Sequence, residues 1–492
     1  MPEPPGPSTK VTHSPGRILA STSTPRENGS GYSVLVTTAR SAQSTPDLGG
    51  RDLTLDLARV VCVLLVVVIH LLFVGVGTDA SGGMAITRPL EEQPWFWAAT
   101  WVGQIMPLFF VVGGFATATS LRSHRRRADA AGQSRRESER AFVHARFQRL
   151  ARPALPLMLF LALALGGATA FGVDPGLLDA VATGVGSPLW FLGAYLICQL
   201  AAPLMLRLHE SRPVTTVLVL LGAVIVVDAA QFTVPGIPLD QAGMSVLGYL
   251  NLLFVWPLVQ QLGFWYADGF FARRTWWQLL AIAAVCWATL VPLTAWAPYS
   301  HDMLTNLNPP TLPLVALGIG QAALLQLLKT PLTALMRTRV MRGIVFVVGT
   351  RLMTVYLWHL PMILVIAGIG LLVPQLAPTP GGAVWWWSRP LVYLLVLGLV
   401  FVLSLALGRF ERPAPVLRVA SPVRLALVAI LTIAPPVAIA IAGLDAINAV
   451  AGAIGYLLAL LILDGARRAS AQEEVVDEPQ GKNALTSAEP TT

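Results

Sequence analysis

Charge is scarce in this chain. Asp, Glu, Lys and Arg make up 12% of its 492 residues against 55% hydrophobic, roughly half the charged share of a soluble domain. A water-exposed surface needs about a quarter to a third charged residues, so a soluble globule is excluded. Cysteine is nearly missing as well: Cys62, Cys198 and Cys286 all fall inside apolar runs, which leaves no material for a disulfide framework or a thiolate metal site. No other ligand cluster argues for a metal, so none is expected. The first fifty residues hold no early apolar core, and no cleavable signal peptide is visible. Acidic residues are almost absent from the apolar runs, which contain Asp56 and Asp228 but no Glu.

What is present is a series of apolar stretches of about 20 residues, each able to cross a hydrocarbon core of ~30 Å. Twelve can be marked, near 53–75, 95–119, 153–172, 187–206, 213–231, 247–267, 275–297, 311–328, 343–372, 385–408, 424–442 and 447–463. The expected fold is an all-α, polytopic transmembrane helical bundle. Basic residues support the count, because retained Lys and Arg mark cytoplasmic loops. Alternate connections hold thirty of the thirty-four Lys and Arg, the other set holds only Arg88, and Arg59, Arg351 and Arg389 lie within spans. Both termini are therefore expected in the cytoplasm. The net charge of +8 reflects this bias and not nucleic-acid binding. Residues 1–50 and 469–492 are polar tails that cannot bury enough apolar surface to order themselves. Within the loop from Arg122 to Arg152, Ser138–Leu150 has the character of a basic helix lying on the membrane surface.

A cation in mid-span costs about 2.5–3.5 kcal/mol on the insertion scale and asks for a partner or a task. In the first span Asp56, Arg59 and His70 fall on nearly one helix face, with Arg59 and His70 about 16.5 Å apart along the axis. The ninth span repeats the pattern with Arg351 and His359. If the two helices enter at Leu53 and Gly343, the arginines lie at about 9 and 12 Å of depth and the histidines at about 25 and 24 Å. Neighbouring helices of this kind would line a polar channel with a cationic inner half and an imidazole pair further out. Packing readings compete at each position. His70 and His359 can bond neighbouring helices, Arg59 with Asp56 can be a structural pair, and Arg351 can snorkel. Arg389 after Trp385, Trp386 and Trp387 fits an aromatic belt, Arg146 and Arg149 fit a positive-inside loop, and His301 with Asp302 fits a solvated loop.

The stretches Arg51-Asp52-Leu53-Thr54-Leu55-Asp56-Leu57-Ala58-Arg59, with His70 after ten further residues, and Pro107-Leu108-Phe109-Phe110-Val111-Val112-Gly113-Gly114-Phe115 resemble signatures of the membrane acyltransferase-3 family of polytopic O-acyltransferases. That family usually has Ser where Gly113 stands. Phe147-Gln148-Arg149-Leu150-Ala151-Arg152-Pro153 with Arg146, Trp190-Phe191-Leu192 with Tyr195, Tyr356-Leu357-Trp358-His359 and Glu411-Arg412-Pro413 follow in the family's order. The resemblance covers about residues 51–415, a ten-span core, and leaves 416–468 as two additional helices. It implies transfer of an acyl group, acetyl or short-chain, from cytoplasmic acyl-CoA as co-substrate to a hydroxyl of an envelope glycan, lipid or related acceptor, in a bacterial cytoplasmic membrane.

On that reading His70 is the general base, since a hydroxyl is a weak nucleophile near neutral pH. His359, or a donor near it, stabilises the charged carbonyl oxygen. Arg59 positions the donor arm, and Arg146, Arg149 and Arg351 hold the donor, the first two gripping CoA phosphates. Trp190, Tyr195, Tyr356 and Arg389 are assigned to substrate binding. The rival reading is a transporter or flippase of an envelope lipid or sugar, which would need a mid-membrane acid for coupling and has only Asp228 besides Asp56.

Overall fold

A computed structural model describes residues 52–78, 84–373, 378–412 and 419–476. The helices are, in chain order, α1 (Leu53–Phe73), α2 (Phe96–Gly103), α3 (Met106–Ala130), α4 (Arg135–Ala170), α5 (Pro175–Gly186), α6 (Trp190–Ser211), α7 (Pro213–Thr233), α8 (Val255–Ala267), α9 (Trp276–Trp296), α10 (Pro313–Leu327), α11 (Lys329–Met336), α12 (Arg339–Gly349), α13 (Leu352–Leu372), α14 (Ala383–Glu411), α15 (Pro422–Ala442) and α16 (Ala446–Val476). Among the described residues eleven helical segments are long and apolar enough to cross a membrane, or twelve if the pair α10–α11, bent by 58°, counts as one. The molecule is a polytopic helical membrane bundle. Among the described residues the bundle departs from all-α in a short antiparallel hairpin, β1 (Gly75–Thr78) with β2 (Met84–Thr87), in register Gly75 to Thr87, and in an isolated bridge between Leu239 and Ser245.

Local chemistry sets the helix ends. Asp52 caps α1, its carboxylate accepting from Thr54 N at 3.1 Å; Ser134 caps α4. Thr275 and Gln278 form a reciprocal capping box on α9. Each fills backbone donors that the first turn leaves unpaired. Pro107, Pro213, Pro313 and Pro422 stand in first turns, where a missing N–H costs nothing. Close packing relies on small residues: a Cβ at Gly114 of α3 would collide with Gln260 O of α8, and one at Gly263 with Val111 O. The two backbones touch directly there, as helices in lipid do when side chains vanish from the seam.

Three expectations change. The stretch Ser138–Leu150 is not a separate surface helix. It is the first half of the 36-residue α4, which continues through Pro153 and Pro156 and buries Phe142 and Phe147 completely. The ninth span does not begin at Gly343: α12 ends at Gly349, and α13 starts at Leu352 with Arg351 as its N-cap. The second span is split, α2 and α3 breaking at Gln104–Ile105. The last helix runs to Val476. Of the terminal tails, residues 1–51 and 477–492 lie outside the described residues, as does Pro413 of the closing motif.

Segments expected on one face of the membrane do meet. Ion pairs join Arg122 to Glu210 and Asp268, Arg125 to Glu139 and Glu210, and Lys329 to Asp52. We call this the Arg-rich end. At the opposite end the connecting loops interlock through Trp101 Nε1 donating to His301 O, Gln104 Nε2 to Met303 O and Tyr299 OH to Asp228.

Candidate active site

His70 stands one turn from the end of α1, and His359 stands in the second turn of α13, which packs against it. The two meet: His70 Nδ1 and His359 Nε2 are 2.7 Å apart. Their ring planes differ by 10° with centroids 5.0 Å apart. With the nitrogens this close, such coplanarity means edge-to-edge rings sharing an in-plane N–H···N bond, not face stacking.

The partners fix the tautomers. His359 Nδ1 faces two carbonyl oxygens, Val355 O at 3.1 Å and Tyr356 O at 2.7 Å. Carbonyls only accept, so Nδ1 carries the hydrogen and Nε2 of a neutral ring is left as an acceptor. His70 therefore donates from Nδ1, and its Nε2 holds the free lone pair. His359 is 1% exposed, whereas His70 is half-buried and lines a cavity of about 1330 Å³. One ring thus offers a basic nitrogen to the cavity while the other fixes its tautomer from behind. Both nitrogens of His359 are engaged, so it has no N–H left to meet a substrate oxygen.

The cavity lining is mixed. Leu360, Leu364 and Gly368 of α13 line it with Leu161 and Leu165 of α4, while Arg88, Glu91, Thr100, Gln104 and, from α5, Asp179 and Thr183 supply polar groups. Trp190 and Tyr356 line it too. The Tyr356 hydroxyl is already spent, donating to Pro188 O at 2.6 Å.

The arginines gather elsewhere. Arg59 pairs with Asp56 at 3.8 Å, one turn below it. Arg146 lies over the Phe142 ring at 4.9 Å and is close enough to Arg59, Arg149 and Tyr195 to interact electrostatically. Neither Arg146 nor Arg149 has a carboxylate within 4.0 Å among the described residues. None of these cations lines the cavity. An aromatic layer separates the two: Tyr195 beside Arg146, then Phe191 with its ring centroid 5.9 Å from Tyr195 and 4.9 Å from Tyr356. Between the guanidinium cluster and the imidazole pair thus stands a row of aromatic rings. Gly113 stands against this row: a Cβ there would lie 3.4 Å from the Tyr195 ring.

Arg351 is not brought to the cluster of Arg59 and Arg146. Its guanidinium covers the Phe401 ring at 5.0 Å and donates to Val347 O and Thr350 Oγ1. Arg389 is also apart: it covers Trp385 at 4.4 Å, donates to Trp385 O, and borders a separate cavity of about 80 Å³. That is the belt arrangement its neighbours allowed. Asp228 is 1% exposed and accepts from Gln231, Asn251, Tyr299 and Leu312 N, so all its acceptor capacity is taken up in joining the loops. Sequence reasoning assigned no role to Glu411, which accepts from both the backbone N–H and the hydroxyl of Thr354 and so caps α13 just before the histidine turn.

No curated protein and no solved structure matches this chain. The acyltransferase-3 family, described as an acyltransferase domain, matches over residues 52–409. That match spans nearly three-quarters of the chain and includes both histidines and Arg59, Arg146, Arg149, Arg351 and Arg389, and the chain belongs to the acyltransferase-3 family of membrane proteins.

Proposed function

We propose that this membrane acyltransferase moves an acyl group from a CoA thioester, taken at the Arg-rich end, to a hydroxyl held in the cavity, with His70 Nε2 as general base. The hydroxyl oxygen attacks the thioester carbonyl carbon while its proton passes to Nε2. The C–S bond then breaks, and the proton returns from His70 to the departing thiolate, giving an ester and free CoA. His359 acts behind His70 as a positioning residue, accepting the Nδ1 hydrogen bond, which strengthens as the base gains charge. This assigns it a supporting role in place of the oxyanion contact expected from sequence.

Arg146 and Arg149, with no carboxylate within 4.0 Å among the described residues, suit the CoA phosphates as charge-assisted, partly bidentate contacts. Arg59, about 16.5 Å along α1 from His70, suits the pantetheine arm. The aromatic row at Tyr195 and Phe191 is then the place where that arm crosses. The donor belongs to the cytoplasm and the acceptor to the cell envelope, with acetyl-CoA the simplest donor. The observation that carries this reading is the free lone pair of His70 at the cavity wall, fixed by His359. A carrier finds less support, because the one mid-membrane acid it would use, Asp228, is saturated with donors.

The test is labelled acetyl-CoA turnover by purified protein in lipid nanodiscs, with envelope extract as acceptor. His70→Ala is expected to lower acyl transfer by about 10² to 10⁴ while still binding CoA. Transfer at the unsubstituted rate by that variant removes His70 from the chemistry.

A further inference from the structure

The cavity beside His70 is far larger than an acetyl group or a monosaccharide requires. Small-molecule sites run to about 300–1,000 Å³, and this one holds about 1330 Å³. Its polarity is also divided. The backbone N–H of Leu90 donates to Leu72 O at 3.2 Å, which brings the segment carrying Arg88 and Glu91 to within about a turn of His70. There Arg88 and Glu91 pair at 2.8 Å, and the exposed Trp95 stands at the same rim. A planar ion pair beside an indole provides hydrogen bonds and an amphipathic face for a polyhydroxylated group.

From His359 onward the α13 wall changes character. Between Leu360 and Leu371 every lining residue of α13 is apolar, as are those of the neighbouring α4. Eleven residues of helix make this strip about 16 Å long, half the thickness of a hydrocarbon core. A polyol alone would leave that apolar strip without a matching surface.

Resting on the reading of His70 as the base, we propose that the acceptor is an amphiphile. Its hydroxylated head lies between the Arg88–Glu91 pair and His70, and a single hydrocarbon chain runs along the α4–α13 wall. The enzyme then selects its acceptor by a chain as well as by a hydroxyl. Acyl transfer is directed to lipid-linked polyols, and chain-free glycans are poor acceptors.

A photoreactive dodecyl glucoside, with a diazirine on its chain, tests this on full-length protein in phosphatidylcholine nanodiscs. Peptide mapping is expected to find label in 160–165 and 360–371, in excess over the lipid-facing helices α7 and α9. Gly368→Trp places an indole on the strip from a position where a Cβ meets nothing within 4 Å, and should cut that labelling about tenfold. Labelling spread evenly over the bundle, or untouched by Gly368→Trp, overturns the proposal. So does protection by palmitoyl-CoA but not by unlabelled dodecyl glucoside, which would assign the strip to the donor's chain. Because cross-linking needs no turnover, loss of the general-base reading through an active His70→Ala variant is a separate result.

Discussion

The first turns of α4 and the turns that follow treat cations in opposite ways. Arg135 reaches Glu139 and Glu210, and around them Arg122, Arg125 and Arg207 each have a carboxylate within 4.0 Å. Two turns later Arg146 and Arg149 have none among the described residues. In the first group every cation is paired, four arginines sharing Glu139, Glu210 and Asp268, and the pairs hold α3, α4 and α6 together. In the second no carboxylate makes a direct pair, although Glu411 lies near enough to Arg149 to interact electrostatically, and these cations remain available to an anionic ligand. The histidines divide in the same way: both nitrogens of His359 are engaged, and one of His70 is not.

Breaking the paired group should have the largest effect. Arg125 and Glu139 are each 8% exposed and 2.7 Å apart, so Arg125→Ala removes the buried partner and leaves Glu139 to the half-exposed Arg135 and Arg207. A loss of about 1.5–3 kcal/mol of stability is expected, read as a lower unfolding midpoint in nanodiscs. A change under 1 kcal/mol would mean that water solvates this cluster freely.

The histidine division is tested next. His359→Leu removes the acceptor behind His70 and is expected to lower kcat about 10²-fold, near the lower limit for general-base catalysis. His359→Gln keeps an oxygen able to accept from Nδ1 and should recover most of that loss at unchanged donor affinity. Equal damage from both would mean that His359 serves only packing. For the second group of cations, Arg149→Ala should raise the donor KM about tenfold, the value of one charge-assisted contact, leaving kcat at saturation and the unfolding midpoint unchanged. An unmoved KM would put the CoA phosphates elsewhere.

The amount of this legible in the sequence follows the range of each interaction. Arg59 and His70 share a face because they share a helix, and 3.6-residue periodicity is local, so their alignment could be read directly. The 2.7 Å contact between His70 and His359 joins residues 289 apart, and only matching depth hinted at it. The break before Leu352 was invisible because Ile344 to Gly349 is apolar and hydropathy runs through it. The α4 misreading had a signal available: Phe142, Phe147, Leu150, Ala151 and Ala154 recur at helical spacing and are all buried, but the arginines between them dominated the reading. The cavity had no signal at all. It is a space among α1, α2, α4, α5 and α13, and no stretch of chain encodes it alone. The acyltransferase resemblance was legible because its motifs are short and ordered, and it was sound over residues 52–409.

The mildest test concerns pH in the paired group. Asp268 lies in the connection between α8 and α9 and accepts from Arg122 Nη1 at 2.6 Å and His209 Nε2 at 2.9 Å. Burial works to raise its carboxyl, but these hydrogen bonds and charges outweigh it and hold it below the ordinary carboxylate value of 3.8. A lowered folded-state value means that the unfolded chain binds the proton more readily. The contribution is therefore complete above the unfolded value and is lost as pH falls from about 4 through the folded one. The side chain is 39% exposed, so solvent screening limits the effect to under about 1 kcal/mol. Unfolding midpoints measured between pH 3 and 6 should fall more steeply at the acid end for the unsubstituted protein than for Asp268→Asn. Parallel curves would show that Arg122 is held by Glu210 alone, and that the paired group is smaller than its geometry implies.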